Sequence, residues 1–231
     1  MIQFIYSPDW FMGKDLLIDL CSMIVLFLIG FFSLRYYKLK PAKKTYLQLG
    51  ISFFLISLSF LFKILTNFTL YFSVLQTQNI GGLLFTYHFI QPSDILFTIG
   101  SLIYRILTLI GLYLLYTIYD PQSRSSKWLA IFLIIAAMYF SQESYYIYHI
   151  ITLIVLVLIT LRYYKNYREN QNYSTKLLAI SFTIIILSHL VFCFVMLNPL
   201  LYVTAELIQL IGYSVLLITF IRVLRDGKKK K

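Results

Sequence analysis

The chain has 231 residues, 60% of them hydrophobic and 13% charged, with a mean hydropathy of +0.79. A water-soluble domain has too little interior to bury that much apolar side chain, so the composition excludes one and points to lipid as the solvent. The net charge of +11 is then read from where the charges fall along the chain, not as a nucleic-acid footprint.

Residues 1–15, MIQFIYSPDWFMGKD, are expected to form an outer interfacial segment held by Trp10 and Phe11. No basic region precedes the first apolar run, so that run is read as an anchor rather than a cleavable signal. Seven apolar stretches follow, at about 16–34, 46–72, 95–119, 128–142, 145–164, 177–197 and 201–224. A span needs roughly 20 helical residues, so the short fourth stretch is expected to stand upright or stop shallow. Backbone groups in lipid must bond internally, which makes these stretches helices. The longest connection, 73–94, includes QTQNIGGLLFTYHFIQPSD and is apolar enough to lie on the bilayer or fold over the bundle. Pro8, Pro41, Pro92, Pro121 and Pro199 all fall outside the spans, which predicts continuous helices instead of the broken helices of many transporters. Gly50, Gly100, Gly111 and Gly212 can bend helices or let them approach closely. Residues 225–231, RDGKKKK, form a basic tail.

The positive charges alternate between connections. Arg35, Lys38, Lys40, Lys43 and Lys44 lie in the first, Arg124 and Lys127 in the third, and Arg162, Lys165, Arg168 and Lys176 in the fifth. With Arg222, Arg225 and Lys228 to Lys231, this places 17 of the 20 lysines and arginines on one side. The opposite side carries Lys14 with Asp9, Asp15, Asp94 and Glu143. The positive-inside rule then puts the N-terminus outside and the C-terminus in the cytoplasm, which requires an odd number of spans. The expected fold is all-α: a polytopic bundle of seven transmembrane helices in the cell membrane.

NPLLY, at 198–202, matches the NPxxY motif that seven-helix receptors carry at the cytoplasmic end of their last helix. Here it precedes the seventh stretch on the outer side, and the third ends LLYTIYD with no Asp-Arg-Tyr. Asn198 and Pro199 are therefore read as a turn that starts a helix. No lysine lies between positions 201 and 220, which excludes a retinal Schiff base there. No phosphate loop, GxSxG or HExxH occurs, and Cys21 and Cys193 have no metal-site spacing, so no catalytic residue, cofactor or metal is expected.

Six ionisable side chains lie within the spans: Asp19, Lys63, Arg105, His149, His189 and Glu206. Each charge costs roughly 2.5–3.5 kcal/mol at mid-membrane on insertion scales, so all should face the bundle interior or a wet cavity. At a rise of about 1.5 Å per residue, Asp19, Glu206 and His149 lie about 5–8 Å below the outer boundary. Lys63 and His189 also fall in the outer half, and Arg105 lies deepest. Two acids are thus expected to meet two strong bases. On the seventh stretch Tyr202, Glu206, Gln209 and Tyr213 share a helical face. So do Ser101, Arg105 and Thr108 on the third, Ser59, Lys63 and Thr66 on the second, and Tyr145, His149 and Thr152 on the fifth. Interhelical glue explains such a cluster, and so does an outward-opening pocket for a polar ligand or ion. A proton path would need relays through the inner half, which reads as apolar. The candidate ligand-binding residues are Asp19, Lys63, Arg105, His149, His189, Glu206, Gln209 and Tyr213.

The last stretch, YVTAELIQLIGYSVLLITFIRVLR, resembles the final helix of prokaryotic, especially archaeal, seven-helix membrane proteins of unknown function. It is also distantly similar to membrane-associated sensor domains that precede kinase or cyclase modules, matching at Glu206, Gln209, Gly212 and Tyr213. The resemblance implies a receptor or sensor-like module. Since the chain ends at Lys231, a separate cytoplasmic signalling partner is expected to meet the basic inner loops and tail. The same lysines can attract anionic lipid or act simply as a topology anchor. A small solute or ion-coupled transporter and a structural or assembly subunit remain as alternatives; no nucleic-acid partner is expected.

Overall fold

The structure, a computed structural model, describes the backbone of residues 7–11, 13–39, 44–74, 78–80, 83–85, 91–118, 124–140, 145–171 and 173–229. Side chains are described within these segments except at 9, 39, 145, 170 and 174 and across 68–96, 119–127 and 223–229. The side-chain roles expected for the outer connection and the basic tail, and for Tyr145, lie outside the described residues.

Seven helices form: α1 Lys14–Leu39, α2 Lys44–Val74, α3 Gln91–Thr117, α4 Arg124–Phe140, α5 Tyr145–Asn170, α6 Tyr173–Phe192 and α7 Leu200–Lys229. Two 3-10 turns, Asp9–Phe11 and Val195–Leu197, lead into α1 and α7. The all-α expectation missed one small feature. The connection after α2 carries a hairpin of two three-residue strands, Gln78–Ile80 and Leu83–Phe85, with Gln78 opposite Phe85. Gly81 and Gly82 separate these strands in the sequence, a spacing suited to a tight hairpin turn.

Six helices, all but α4, are long and apolar enough to cross a membrane. The apolar part of α4, Trp128–Phe140, spans about 20 Å at the usual helical rise, short of a ~30 Å hydrocarbon core. Burial is inverted relative to a water-soluble protein. Phe27, Phe132, Phe140 and Ile218 face outward, while Asp19, Ser59, Thr152, Ser188 and Glu206 are buried. Such a pattern belongs to a membrane protein, whose lipid-facing surface is apolar and whose polar groups turn inward.

Neighbouring helices pack in the order α1-α2-α3-α5-α6-α7, and α1 meets α7 to close the ring. Helix α4 packs on α3 outside this ring, with Met138 set against Leu109 and Tyr148. Two close approaches depend on glycine. A Cβ at Gly111 would lie 2.9 Å from the backbone oxygen of Ser52 on α2, and one at Gly212 would lie 2.6 Å from Ile185 on α6. Small residues at such contacts let helix backbones come together where no hydrophobic effect drives them.

The middle of α3 meets the first turn of α5, with the Tyr104 and Tyr148 rings 5.5 Å apart. At the other end Gln48, near the start of α2, donates to Leu114 O and Thr117 Oγ1 near the end of α3. The chemistry-bearing side chains therefore gather at one end of the bundle, with Leu26, Phe53, Leu112, Leu156, Phe182 and Leu216 packed beyond them.

Candidate functional site

Asp15 and Asp19 are one helical turn apart and both turn inward from α1. On α7, Tyr202, Glu206, Gln209 and Tyr213 form one buried stripe. Lys63 of α2 lies between these two faces. Its Nζ donates to Asp19 Oδ1 at 2.7 Å and to Glu206 Oε1 at 2.6 Å. Asp19 and Glu206 are 0% and 1% exposed, against 13% for the Lys63 side chain. One ammonium thus ties together α1, α2 and α7.

The cluster does not balance formally, because two carboxylates share one lysine. Asp19 Oδ2 and Glu206 Oε2 are buried and have no hydrogen-bond partner among the described residues. Asp15 adds a third buried acid, and Asn67 Nδ2 reaches its Oδ2 at 3.4 Å. The ammonium also stands 5.6 Å from the Phe60 ring centroid and 6.0 Å from that of Tyr104, within cation–π range.

The remaining predicted residues form a second group next to the first. His149 and His189 meet Nδ1 to Nδ1 at 3.0 Å, so one ring donates and the other accepts. His149 stacks on Phe192, with centroids 4.6 Å apart. Arg105 does not join the acids: its guanidinium lies 5.8 Å from the centroid of Tyr148, and it makes no salt bridge among the described residues. The expected meeting of two acids with two strong bases becomes two acids on one base. The ring order supplies the reason. Helix α3 neighbours α2 and α5, so Arg105 turns toward α5, while Lys63 on α2 borders α1. Gln209 and Tyr213 lie one turn apart, with Gln209 Nε2 3.4 Å from the Tyr213 hydroxyl.

Several members of this region were not among the predicted residues. The Tyr148 hydroxyl donates to that of Tyr104 at 3.2 Å, and Thr108 donates to Ser59 at 2.8 Å. Asp15 had a readable signal in its i, i+4 spacing to Asp19. The tyrosines had none, because tyrosine is common along this chain and each could have marked an interface. Phe11 is buried in one cluster with Phe192, Tyr202 and Val203, where the end of α6 meets the start of α7. The chain turns from Phe11 into α1 at Gly13, whose φ of +83° suits glycine.

Inward of the polar groups, a cavity is lined by Thr108, His189 and Tyr213 and then by Leu26, Phe182 and Leu216. It leaves about 10 Å³ for the centre of a water-sized sphere, the threshold for one water and far below the volume of an organic ligand. Among the described residues no three His, Cys, Asp or Glu side chains converge as a metal site. Past the end of α6, burial pushes the Cys193 thiol up from its usual value, and Sγ lies 3.3 Å from His189 O, which suits a quiet thiol rather than a nucleophile. No family model matches the chain, and neither a curated protein nor a solved structure matches it.

Proposed function

We propose that the protein is a receptor or sensor-like membrane module whose outer-half charge cluster takes up a small ion and couples it to the packing of α1, α2 and α7. The observation that carries this is Lys63 held by Asp19 and Glu206 from two other helices, with each acid keeping a buried, unshared oxygen. A change of charge at that point acts on three helices at once. A ligand shifts such a bundle only by its differential affinity for two packings, and this cluster is where the difference would arise.

Seven crossings with the N-terminus outside are part of the proposal. Helices α3 and α5 meet where Tyr104 and Arg105 reach Tyr148, and a crossing by α4 would let both helices run the same way. Met138, near the end of α4, packs beside Leu109 and Tyr148, which agrees with a return to the outer side. The clustering of lysines and arginines on the opposite side supports the orientation. The mostly apolar lining of the cavity inward of Tyr213 supports sensing over transport.

The test is amide hydrogen exchange of the protein in lipid nanodiscs, wild type beside Glu206→Gln, across a pH series and with added sodium, potassium or methylammonium. Exchange along α1 and α7 should change with one of these cations in the wild type and lose that response in the variant. Equal exchange under every condition in both proteins would mean that the charges only lock the helices, and the proposal would fall.

A further inference from the structure

We infer that the ion taken up is a proton, shared between the carboxyl groups of Asp19 and Glu206 beside Lys63. This rests on the reading of the outer cluster as an ion site. Both carboxyls reach the same Nζ at 2.7 and 2.6 Å, so the two groups sit close together and almost unexposed. With both ionised, the trio carries one uncompensated negative charge. Like-charged carboxylates at such range do not both ionise readily, and a low-dielectric site favours the neutral count. A single proton supplies that count.

The groups around the pair do not supply a second cation. On α1 the further charge is Asp15, which adds to the negative side. On α2 Lys63 is already used and Asn67 is neutral. On α3 Tyr104 faces Lys63, while Arg105 turns toward Tyr148. On α5 and α6, His149 and His189 are engaged with each other. On α7 the remaining titratable groups facing the cluster are Tyr202 and Tyr213. A larger cation is disfavoured by the lack of a converging three-ligand set among the described residues, and an organic one by the small volume inward of the site. A proton needs no room.

The proton comes from outer water onto a carboxylate oxygen and leaves the same way. With one proton on the pair the trio is neutral and Lys63 holds α1 and α7 to α2. Raising the outer pH removes the proton, leaves a net negative charge in the seam and loosens it.

The experiment is infrared difference spectroscopy of the full chain in liposomes during a step from acidic to alkaline pH. The expected result is the loss of one protonated-carboxyl C=O band in wild type, no such band in Asp19→Asn or Glu206→Gln, and its persistence in Asp15→Asn. Glu206→Asp should keep a titrating band at a shifted frequency, which separates chemistry from misfolding. If the band titrates but amide exchange in α1 and α7 does not follow pH, the proton assignment stands and the sensor reading falls. If no band titrates in wild type, the proton assignment is overturned. In that case an exchange response to sodium, potassium or methylammonium would still leave the sensor reading in place.

Discussion

Replacing Lys63 by methionine keeps most of the side-chain volume and removes the only ammonium that bonds Asp19 and Glu206 among the described residues. Two charge-assisted hydrogen bonds are lost, each worth about 1.5–3 kcal/mol in proteins generally. Interhelical hydrogen bonds inside membranes average nearer ~0.6 kcal/mol, because the unfolded reference state also finds partners. The higher range applies here, since both acids are essentially unexposed and neither bonded oxygen has another partner among the described residues. Breaking a buried ion pair by deleting one member costs about 3–5 kcal/mol, and a proton on one of the acids moves the cost to the lower end, about 3 kcal/mol. Unfolding in mixed micelles with increasing sodium dodecyl sulfate measures it. Lys63→Met combined with Asp19→Asn and Glu206→Gln should recover much of the loss, because no buried charge then lacks a partner. A single variant within about 0.5 kcal/mol of wild type, as for an ordinary surface substitution, would refute the reasoning. So would a triple variant less stable than the single.

Other expectations follow from the packing. Gly111→Leu places its Cβ against Ser52 O and Ile56 and should cost about 1–3 kcal/mol in the same titration, whereas the exposed Ile218→Leu should cost little. Phe11→Ala uncovers Tyr202 and Phe192 and should speed amide exchange at the start of α7 while leaving the inner end of α2 unchanged. In a chain without Cys21 and Cys193, a membrane-impermeant thiol reagent applied outside should label Ser7→Cys and Ser141→Cys but not Gln171→Cys. Labelling of Gln171→Cys together with protection of Ser141→Cys would remove α4 as a crossing.

Much of this architecture is readable because lipid imposes simple rules on a sequence. Length and hydropathy mark seven apolar stretches, six of which form helices long and apolar enough to span, and helical spacing picks out the buried stripe of Tyr202, Glu206, Gln209 and Tyr213. Depth along each helix brings Asp19, Lys63 and Glu206 to one level. Spacing and depth do not say which helices are neighbours. That is why Arg105, at a plausible height on α3, was expected beside the acids and instead lies over Tyr148. Asp15 was read as an outer-side charge, yet its side chain is buried within the bundle. Helix α4 is the converse case. Its length alone stops short of a span, and spacing along the sequence does not reveal that Met138 packs beside Leu109 and Tyr148.

The central claim is that the charge state of the outer cluster sets how α1 and α7 pack. Spin labels at Lys38→Cys and Ile221→Cys, near the opposite ends of those helices, measure it most directly by pulsed electron paramagnetic resonance in nanodiscs. The distance distribution should move between acidic and alkaline pH in the otherwise wild-type chain, and Glu206→Gln should hold it at the acidic form throughout. One unchanging distribution, shared by both proteins at every pH and with sodium, potassium or methylammonium added, would contradict the account and leave Asp19, Lys63 and Glu206 as a structural lock.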